Sequence, residues 1–279
     1  MLVFVGTYTE PILFGTGKVL RGKGEGIYVY RLDESSGKLE PMGKTTGIAN
    51  PSYLAFDPSQ RFLYAVNELK TYEGKPTGTV SAFAVDPRAG GLEFLNRQLT
   101  HGTDPCHVVV DREGSHVFVA NFMSGNVCVL PVHENGSLGE ACDIVQHRGS
   151  SVDPRRQSGP HAHSVTLDAS NRFAFVPDLG LDKLMVYRFD ATRGRLEPEA
   201  VPCIDMKPGA GPRHLAFHPG GTFAYLVNEL DSTVVALSYD ANTGTFGCLQ
   251  TVRTLPDGFA GESTCADIHV HPSGNFVYA

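Results

Sequence analysis

The sequence predicts an all-β fold, a β-propeller with four-stranded blades, and three observations support this prediction. A pair of short apolar strands joined by a tight turn recurs five times along the 279 residues. Successive turns lie 50 to 57 residues apart, a period typical of propeller blades and longer than that of most solenoid repeats. No stretch of the chain shows the apolar period of a long helix.

The five repeats align on an Asp or His at the turn between their two strands. The aligned turn residues are Asp57, Asp111, Asp168, His218 and His271. The paired apolar runs are 51–56 with 62–68, 105–110 with 117–121, 163–167 with 173–176, 211–217 with 225–230, and 266–270 with 276–279. Each pair is predicted to form the first and second strands of one blade.

The third and fourth strands of each blade are predicted to lie between these pairs. The third strands are rich in β-branched and aromatic residues and run into Asp, Gly and Ser turns. They cover residues 26–32, 80–85, 184–189 and 234–239. The fourth strands, such as 92–95, are more polar, which suits the outer edge of a blade.

The order of the strands predicts where the blades begin and end. Residues 2–8 match a second strand, so the first strand of that blade is expected from the C-terminal end of the ring. Blades end near residues 47, 103, 146, 208 and 256, and a sixth begins near 262 and stops at Ala279. We therefore expect residues 1–279 to be a single β-propeller domain of the seven-bladed type, an incomplete ring of about five and a half blades truncated at its C-terminus. A complete ring at this period needs roughly 70 more residues.

Composition and charge limit the expected partners. The formal net charge of −7 disfavours nucleic acid, because phosphate binding needs a basic face. The N-terminus does not resemble a signal peptide and no apolar run approaches membrane-spanning length, so we expect no membrane partner. Cysteines occur at positions 106, 128, 142, 203, 248 and 265. None forms a C-x-x-C pair, and we interpret them as reduced thiols of a cytoplasmic protein.

Residues at equal distances from the turn share one position in every blade. Five residues before the turn, at the start of the first strand, stand Ser52, Cys106, His163, Arg213 and Ala266. Eleven residues after the turn, at the end of the second strand, stand Glu68, Phe122, Leu179 and Glu229. Because the two strands are antiparallel, both positions lie at the same mouth of the channel. The spacing therefore places His163, Arg213 and Glu229 around one cleft on adjacent blades.

His163, Arg213 and Glu229 are the predicted catalytic residues. Arginine can bind a carboxylate or phosphate bidentately, histidine can act as general acid or base, and glutamate can orient the histidine, activate water or bind sugar hydroxyls. The predicted substrate-binding residues are His161, Asn228 and Glu68. Two structural interpretations remain open. His163 could have only a structural role at the start of its strand, and Arg213 and Glu229 could form only a structural salt bridge.

Two further features of the sequence are candidate binding elements. His161 and His163 form an H-x-H pair, which suggests a metal, but the sequence places no third ligand and we expect no metal and no cofactor. The polar loop 146–159 carries Arg155 and Arg156. These arginines could hold an anionic substrate, although a solvated loop with surface arginines is the favoured interpretation.

Several motifs, taken together and in order, resemble the seven-bladed lactonase family. They lie at residues 4–9, 159–164, 211–214, 227–230 and 271–279. This family contains the bacterial propeller-type 6-phosphogluconolactonases and the fungal 3-carboxy-cis,cis-muconate lactonizing enzymes. The resemblance implies a metal-free site of one His, two Arg and one Glu, in which the His, the first Arg and the Glu correspond to His163, Arg213 and Glu229. The second Arg belongs to an Asn-Arg pair that would follow Ala279.

Three functions are compatible with these residues and with the resemblance. The favoured one is hydrolysis of 6-phospho-D-glucono-1,5-lactone to 6-phosphogluconate, a reaction on a small, anionic lactone. Attack on the lactone carbonyl needs a base and stabilisation of the oxyanion, which His163 and Arg213 can supply. The alternatives are a carboxymuconate-type cycloisomerase and a non-catalytic propeller that binds a protein or a sugar.

Overall fold

The computed structural model describes residues 1–14 and 16–279, with only the backbone described at 200–202. Within this described part the regular elements are β-strands, and no helix occurs that could span a membrane. The chain divides into two compact units. The first comprises Met1–Met123 and Cys128–Ile144, and the second comprises Ser124–Val127 and Val145–Ala279.

The first unit contains one three-stranded sheet, one four-stranded sheet and a separate hairpin. Its strands are β1 (Leu2–Val5), β2 (Pro11–Leu13), β3 (Val19–Arg21), β4 (Gly26–Asp33), β5 (Lys38–Thr46), β6 (Leu54–Phe56), β7 (Phe62–Asn67), β8 (Thr79–Val85), β9 (Leu92–Leu99), β10 (Pro105–Val110) and β11 (His116–Asn121). The order is β1-β4-β5 in the first sheet and β6-β7-β8-β9 in the second. The glycine-containing segment 15–17 is expected to form a hairpin turn, but the strands β2 and β3 are not predicted, because runs of three residues are too short to show a strand pattern.

The third sheet has the order β10-β11-β12-β13. Its last two strands are β12 (Asn126–Pro131) and β13 (Asp143–Gln146). The boundary between the two units passes through both of these strands.

The second unit contains two further four-stranded sheets and a two-stranded one. Its strands are β14 (Thr166–Leu167), β15 (Phe173–Asp178), β16 (Lys183–Asp190), β17 (Arg195–Asp205), β18 (Pro212–Phe217), β19 (Phe223–Asn228), β20 (Thr233–Asp240), β21 (Thr245–Arg253), β22 (His269–Val270) and β23 (Val277–Tyr278). The sheet orders are β14-β15-β16-β17, β18-β19-β20-β21 and β22-β23.

This series of antiparallel sheets confirms the prediction of an all-β chain with four-stranded blades. The first sheet has three strands and the last has two, as the strand order along the sequence predicts. The first strands of three blades are shorter than predicted: the expected runs 51–56, 163–167 and 266–270 contain only β6, β14 and β22 as regular strand. The single-domain assignment of residues 1–279 and its truncation stay predictions.

The hydrophobic core of each unit lies between neighbouring sheets. In the first unit, Tyr64 of β7, Val108 of β10 and Leu130 of β12 belong to one buried cluster. In the second unit, Phe175 of β15 and Leu226 of β19 belong to another. Strands β11 and β15 are buried along their whole length, which explains why they read as continuous apolar runs rather than as alternating ones. Strand β21 is mostly exposed, as expected for an outer edge.

Candidate active site

Glu229 is the centre of a charged cluster in the second unit, directly after the end of β19. Its Oε2 lies 3.1 Å from Nε of Arg213 and 3.7 Å from Nε2 of His163. His163 and Glu229 are 7% and 8% exposed, so both carry their polar groups in a largely buried setting. The structure thus brings together the three side chains that the repeat spacing predicted to converge.

A β-bulge directs Arg213 toward Glu229. In the pairing of β18 with β19, Pro212 faces Asn228 and His214 faces Val227, which leaves Arg213 as an extra residue. The same shift in the pairing of β10 with β11 leaves Cys106 as the extra residue. A bulge bends its strand and redirects one side chain. The same bulge thus occurs in both blades, and it presents a guanidinium group only where its extra residue is Arg213.

The turn before β18 requires glycine. Gly211 has φ of +67°, and a Cβ there would lie 2.5 Å from Cγ of Leu230. The Gly211 carbonyl accepts a hydrogen bond from the Glu229 amide at 2.7 Å, and its own amide donates to Oδ1 of Asp182 at 2.8 Å. Gly211 therefore holds the backbone of Glu229 next to the start of β18, the strand that carries Arg213.

The backbone around His163 is fixed from two sides. The His163 amide donates to the carbonyl of Pro177 at 3.0 Å. The His161 amide donates to Oδ1 of the buried Asp178 at 2.7 Å. The His163 ring meets the His214 ring edge-on, with centroids 5.4 Å apart. These contacts hold the imidazole against the Glu229 carboxylate.

Arg156 also contacts Glu229, although its loop was expected to be solvated with surface arginines. Its Nη2 donates to Oε1 of Glu229 at 2.6 Å, and its side chain is 14% exposed. The interpretation as surface arginines is wrong for Arg156, whereas the Arg155 side chain is 88% exposed. One feature of the sequence pointed to this contact, because the arginine pair lies just before the H-x-H motif. The equal spacing from the blade turns, which places residues at strand ends, cannot place a residue in a loop.

A buried histidine lies behind Arg213. Nδ1 of His214 donates to Oδ1 of Asp267 at 2.6 Å, so Nε2 is the acceptor that faces Nη1 of Arg213 at 3.4 Å. The same Nη1 donates to the Ala266 carbonyl. Burial lowers the pKa of His214 below its ordinary value, with the charge of Arg213 acting in the same direction. The pKa of Asp267 is lowered as well: burial raises it, but the hydrogen bonds from His214 and the Ile268 amide, together with the electrostatic effect of His214 and His269, outweigh burial.

We expect the free energy of unfolding to fall as the pH drops below the ordinary histidine pKa of about 6.5. Because folding lowers the pKa of His214, the unfolded chain takes up a proton at a higher pH than the folded protein does. The stabilisation is complete above the unfolded pKa and is lost as the pH falls toward the folded one. Urea unfolding between pH 7.5 and 5.5 measures it, and His214→Gln should show a shallower decline. Equal declines in both proteins would contradict this assignment.

The three predicted substrate-binding residues have different surroundings. Asn228 is 2% exposed, its Nδ2 donates to Oγ1 of Thr233 at 2.9 Å, and its Oδ1 has no hydrogen-bond partner among the residues described. His161 is half-buried and stands two residues before the catalytic candidate His163 in the chain. Glu68 belongs to the first unit, where its Oε2 accepts a hydrogen bond from the Tyr8 hydroxyl at 2.9 Å. The substrate-binding roles of these residues stay predictions.

The arrangement suits binding and hydrolysis of an anionic compound. Two guanidinium groups face one carboxylate, which leaves a positive charge even with a neutral His163. In the described residues, no three His, Cys, Asp or Glu side chains are placed together so that they could hold a metal ion.

Comparisons with known proteins cover nearly the whole chain. Residues 2–279 match the family model described as lactonase, 7-bladed beta-propeller. A 6-phosphogluconolactonase of Bacillus subtilis (strain 168) is 37% identical over 275 residues, which cover 99% of this chain and 73% of that protein. A 6-phosphogluconolactonase of Formosa agariphila is 29% identical over 99% of this chain and 74% of that protein. The solved structure of the periplasmic gluconolactonase PpgL of Pseudomonas aeruginosa superposes with a TM-score of 0.88, at 36% identity over 99% of this chain and 74% of that one. The repeated sheets, the cluster at Glu229 and the match over nearly every residue lead to one conclusion: the chain belongs to the lactonase family of seven-bladed β-propellers.

Proposed function

We propose that this protein hydrolyses 6-phospho-D-glucono-1,5-lactone to 6-phosphogluconate, a step of the pentose phosphate pathway. The observation that carries the proposal is the convergence of His163 and Arg213 on Glu229. A base and a cation each lie within 4 Å of the orienting carboxylate, at 3.7 Å and 3.1 Å. The names of the Bacillus subtilis and Formosa agariphila relatives support the choice of lactone.

In the proposed reaction His163 acts first as general base. Its imidazole takes a proton from water while the water oxygen attacks the lactone carbonyl carbon, forming a tetrahedral intermediate. When the bond from that carbon to the ring oxygen breaks, the imidazolium returns the proton to the ring oxygen. The products are a carboxylic acid and a free hydroxyl, and the protein ends in its starting state.

Arg213 and Glu229 have complementary roles in this scheme. The guanidinium of Arg213 is held by Glu229, the Ala266 carbonyl and the His214 ring, so it is oriented before the substrate arrives. A fixed cation is suited to stabilise the negative charge that develops on the carbonyl oxygen. Glu229, with Oε2 3.7 Å from Nε2 of His163, stabilises the imidazolium that forms during the attack.

The assay that tests this function measures lactone hydrolysis directly. Freshly prepared 6-phospho-D-glucono-1,5-lactone is incubated with the protein, and 6-phosphogluconate is detected with 6-phosphogluconate dehydrogenase and NADP⁺. We expect a rate well above spontaneous hydrolysis. Incubation with 3-carboxymuconate, followed by its ultraviolet absorbance, tests the cycloisomerase alternative. Turnover of the muconate without turnover of the lactone would overturn the proposal.

We also propose a cytoplasmic location for the protein. All six cysteines are free thiols in the structure, a state that reducing compartments maintain. The Pseudomonas aeruginosa relative is periplasmic by its title, so the family is not confined to one compartment. Cell fractionation with antibodies against the protein tests the proposal, and recovery in an exported fraction would contradict it.

A further inference from the structure

Arg156 contacts the catalytic carboxylate, yet the proposed mechanism assigns it no task. Its Nη2 donates to Oε1 of Glu229 at 2.6 Å, while Nε of Arg213 donates to Oε2 at 3.1 Å. Each oxygen of one carboxylate therefore holds a different guanidinium group. The cluster carries two positive charges against one negative charge, and an anionic ligand would neutralise the difference.

The loop that carries Arg156 is held in a defined conformation. Gln157 is fully buried, and its Nε2 donates to the carbonyl of Leu179 at 2.9 Å. Its Oε1 accepts a hydrogen bond from the Asp153 amide at 3.1 Å, and its own amide donates to the Asp153 carbonyl at 2.7 Å. The residue next to Arg156 thus ties the loop to Leu179, which directly follows β15.

A second anchor links the same loop to the segment that carries Arg213. Oδ2 of Asp182, a buried residue, accepts hydrogen bonds from Oγ of Ser151 at 2.5 Å and from the Gly209 amide at 2.7 Å. Its Oδ1 accepts one from the Gly211 amide at 2.8 Å. Both arginine-bearing segments therefore share one carboxylate as a support, which fixes Arg156 relative to Arg213 before any ligand binds.

Arg156 retains donors for a ligand. A guanidinium group has five N–H donors, and among the residues described the Arg156 side chain uses only Nη2, toward Glu229. Arg213 is more heavily engaged, since its Nη1 faces both the Ala266 carbonyl and the His214 ring. This difference suggests a division of tasks, with Arg213 at the carbonyl and Arg156 at a more distant anionic group of the substrate.

We propose that Arg156 binds the phosphate group of the substrate and thereby determines the preference for a phosphorylated over an unphosphorylated lactone. The inference rests on the proposed lactone hydrolysis. The planar guanidinium fork matches two phosphate oxygens, whereas a lysine ammonium is a point charge. Arg155 is a matched control, because it has the same charge in the same loop. Its side chain is 88% exposed, and its Nε lies 3.6 Å from Oδ1 of Asp153.

The test compares kcat/KM for 6-phospho-D-glucono-1,5-lactone and D-glucono-1,5-lactone in the wild-type protein, Arg156→Gln, Arg156→Lys and Arg155→Gln. A hydrogen bond to a charged group is worth roughly 1.5–3 kcal/mol, so the ratio of the two constants should fall about 10- to 100-fold in Arg156→Gln. Arg156→Lys should lie between Arg156→Gln and the wild type, and Arg155→Gln should keep the wild-type ratio. Any general effect on Glu229 appears with both substrates and cancels in the ratio. An unchanged ratio in Arg156→Gln would overturn the proposal.

Binding measured by calorimetry separates this inference from the proposed function. We expect the wild-type protein and Arg155→Gln to bind 6-phosphogluconate more tightly than gluconate, and Arg156→Gln to lose that difference. If the wild type hydrolyses no lactone but shows this Arg156-dependent difference, the phosphate site stands and the proposed function fails. If the wild type binds both acids equally, the phosphate site is refuted whatever the outcome of the lactonase assay.

Discussion

Replacement of His163 with alanine should lower kcat for lactone hydrolysis by about 10²- to 10⁴-fold, the range for loss of a general acid–base residue. The His163 ring lies against the Glu229 carboxylate and is 7% exposed, so a water molecule that enters after truncation cannot reproduce its proton transfer. KM should change less than kcat, because Arg156, the proposed phosphate-binding residue, is retained. Steady-state kinetics of the coupled assay measures both constants.

His271→Ala is the matched control for this experiment. His271 is an exposed histidine on the turn before β23, and its hydrogen bonds are to Ser273 and the adjacent backbone. We expect this variant to keep the wild-type rate. Thermal unfolding should confirm that both variants are folded. A His163→Ala protein that is folded and hydrolyses the lactone at the full rate would refute the general-base mechanism.

Replacement of Asp178 with alanine should destabilise the protein by about 3–5 kcal/mol, because it removes the acceptor of several buried hydrogen-bond donors and each donor left unsatisfied costs roughly 1–3 kcal/mol. Oδ2 of Asp178 lies 2.6 Å from Nδ1 of His147, and both side chains are fully buried. Its Oδ1 accepts hydrogen bonds from the backbone amides of His161, Gly180 and Leu181. Alanine would leave all of these donors without an acceptor, and each unsatisfied buried donor is costly. Urea unfolding monitored by circular dichroism gives the free energy of unfolding.

An exposed aspartate provides the comparison for Asp178. Asp205 pairs with Lys183, but its side chain is 79% exposed, and exposed ion pairs contribute about 0–1 kcal/mol. Asp205→Ala should therefore have little effect on unfolding. Because Asp178 holds the chain just before His163, Asp178→Ala should also lower activity at temperatures at which it remains folded. Equal free energies of unfolding of the two variants would show that the contacts of Asp178 with His147 and the backbone amides do not stabilise the protein.

The convergence of three side chains was predictable because it depends on a repeated local structure. Each strand pair with its turn forms from residues close together in the chain, so the interval from the turn to a strand end is the same in every blade. His163, Arg213 and Glu229 occupy such positions, and the structure places them together. The bulge at Arg213 changes which way the side chain points without changing the interval, so the rule succeeds although the sequence does not reveal the bulge.

The contact of Arg156 with Glu229 was not predictable in the same way. The two residues are 73 positions apart, and Arg156 belongs to a loop outside the repeat. Its position depends on hydrogen bonds from Ser151 and Gln157 to residues of another segment. A pattern of apolar residues contains no information on such pairings, because they involve polar groups in irregular backbone.

The sequence by itself determined the strand content, the repeat and the columns of residues at the ends of the strands. Short apolar runs and turn residues act over only a few positions of the chain. Only the tertiary structure decided which polar groups meet. It paired His214 with Asp267, buried Asp178 against His147 and brought Arg156 to Glu229. These contacts form when separate blades and loops pack together, and the burial that results gives each pair its energetic weight.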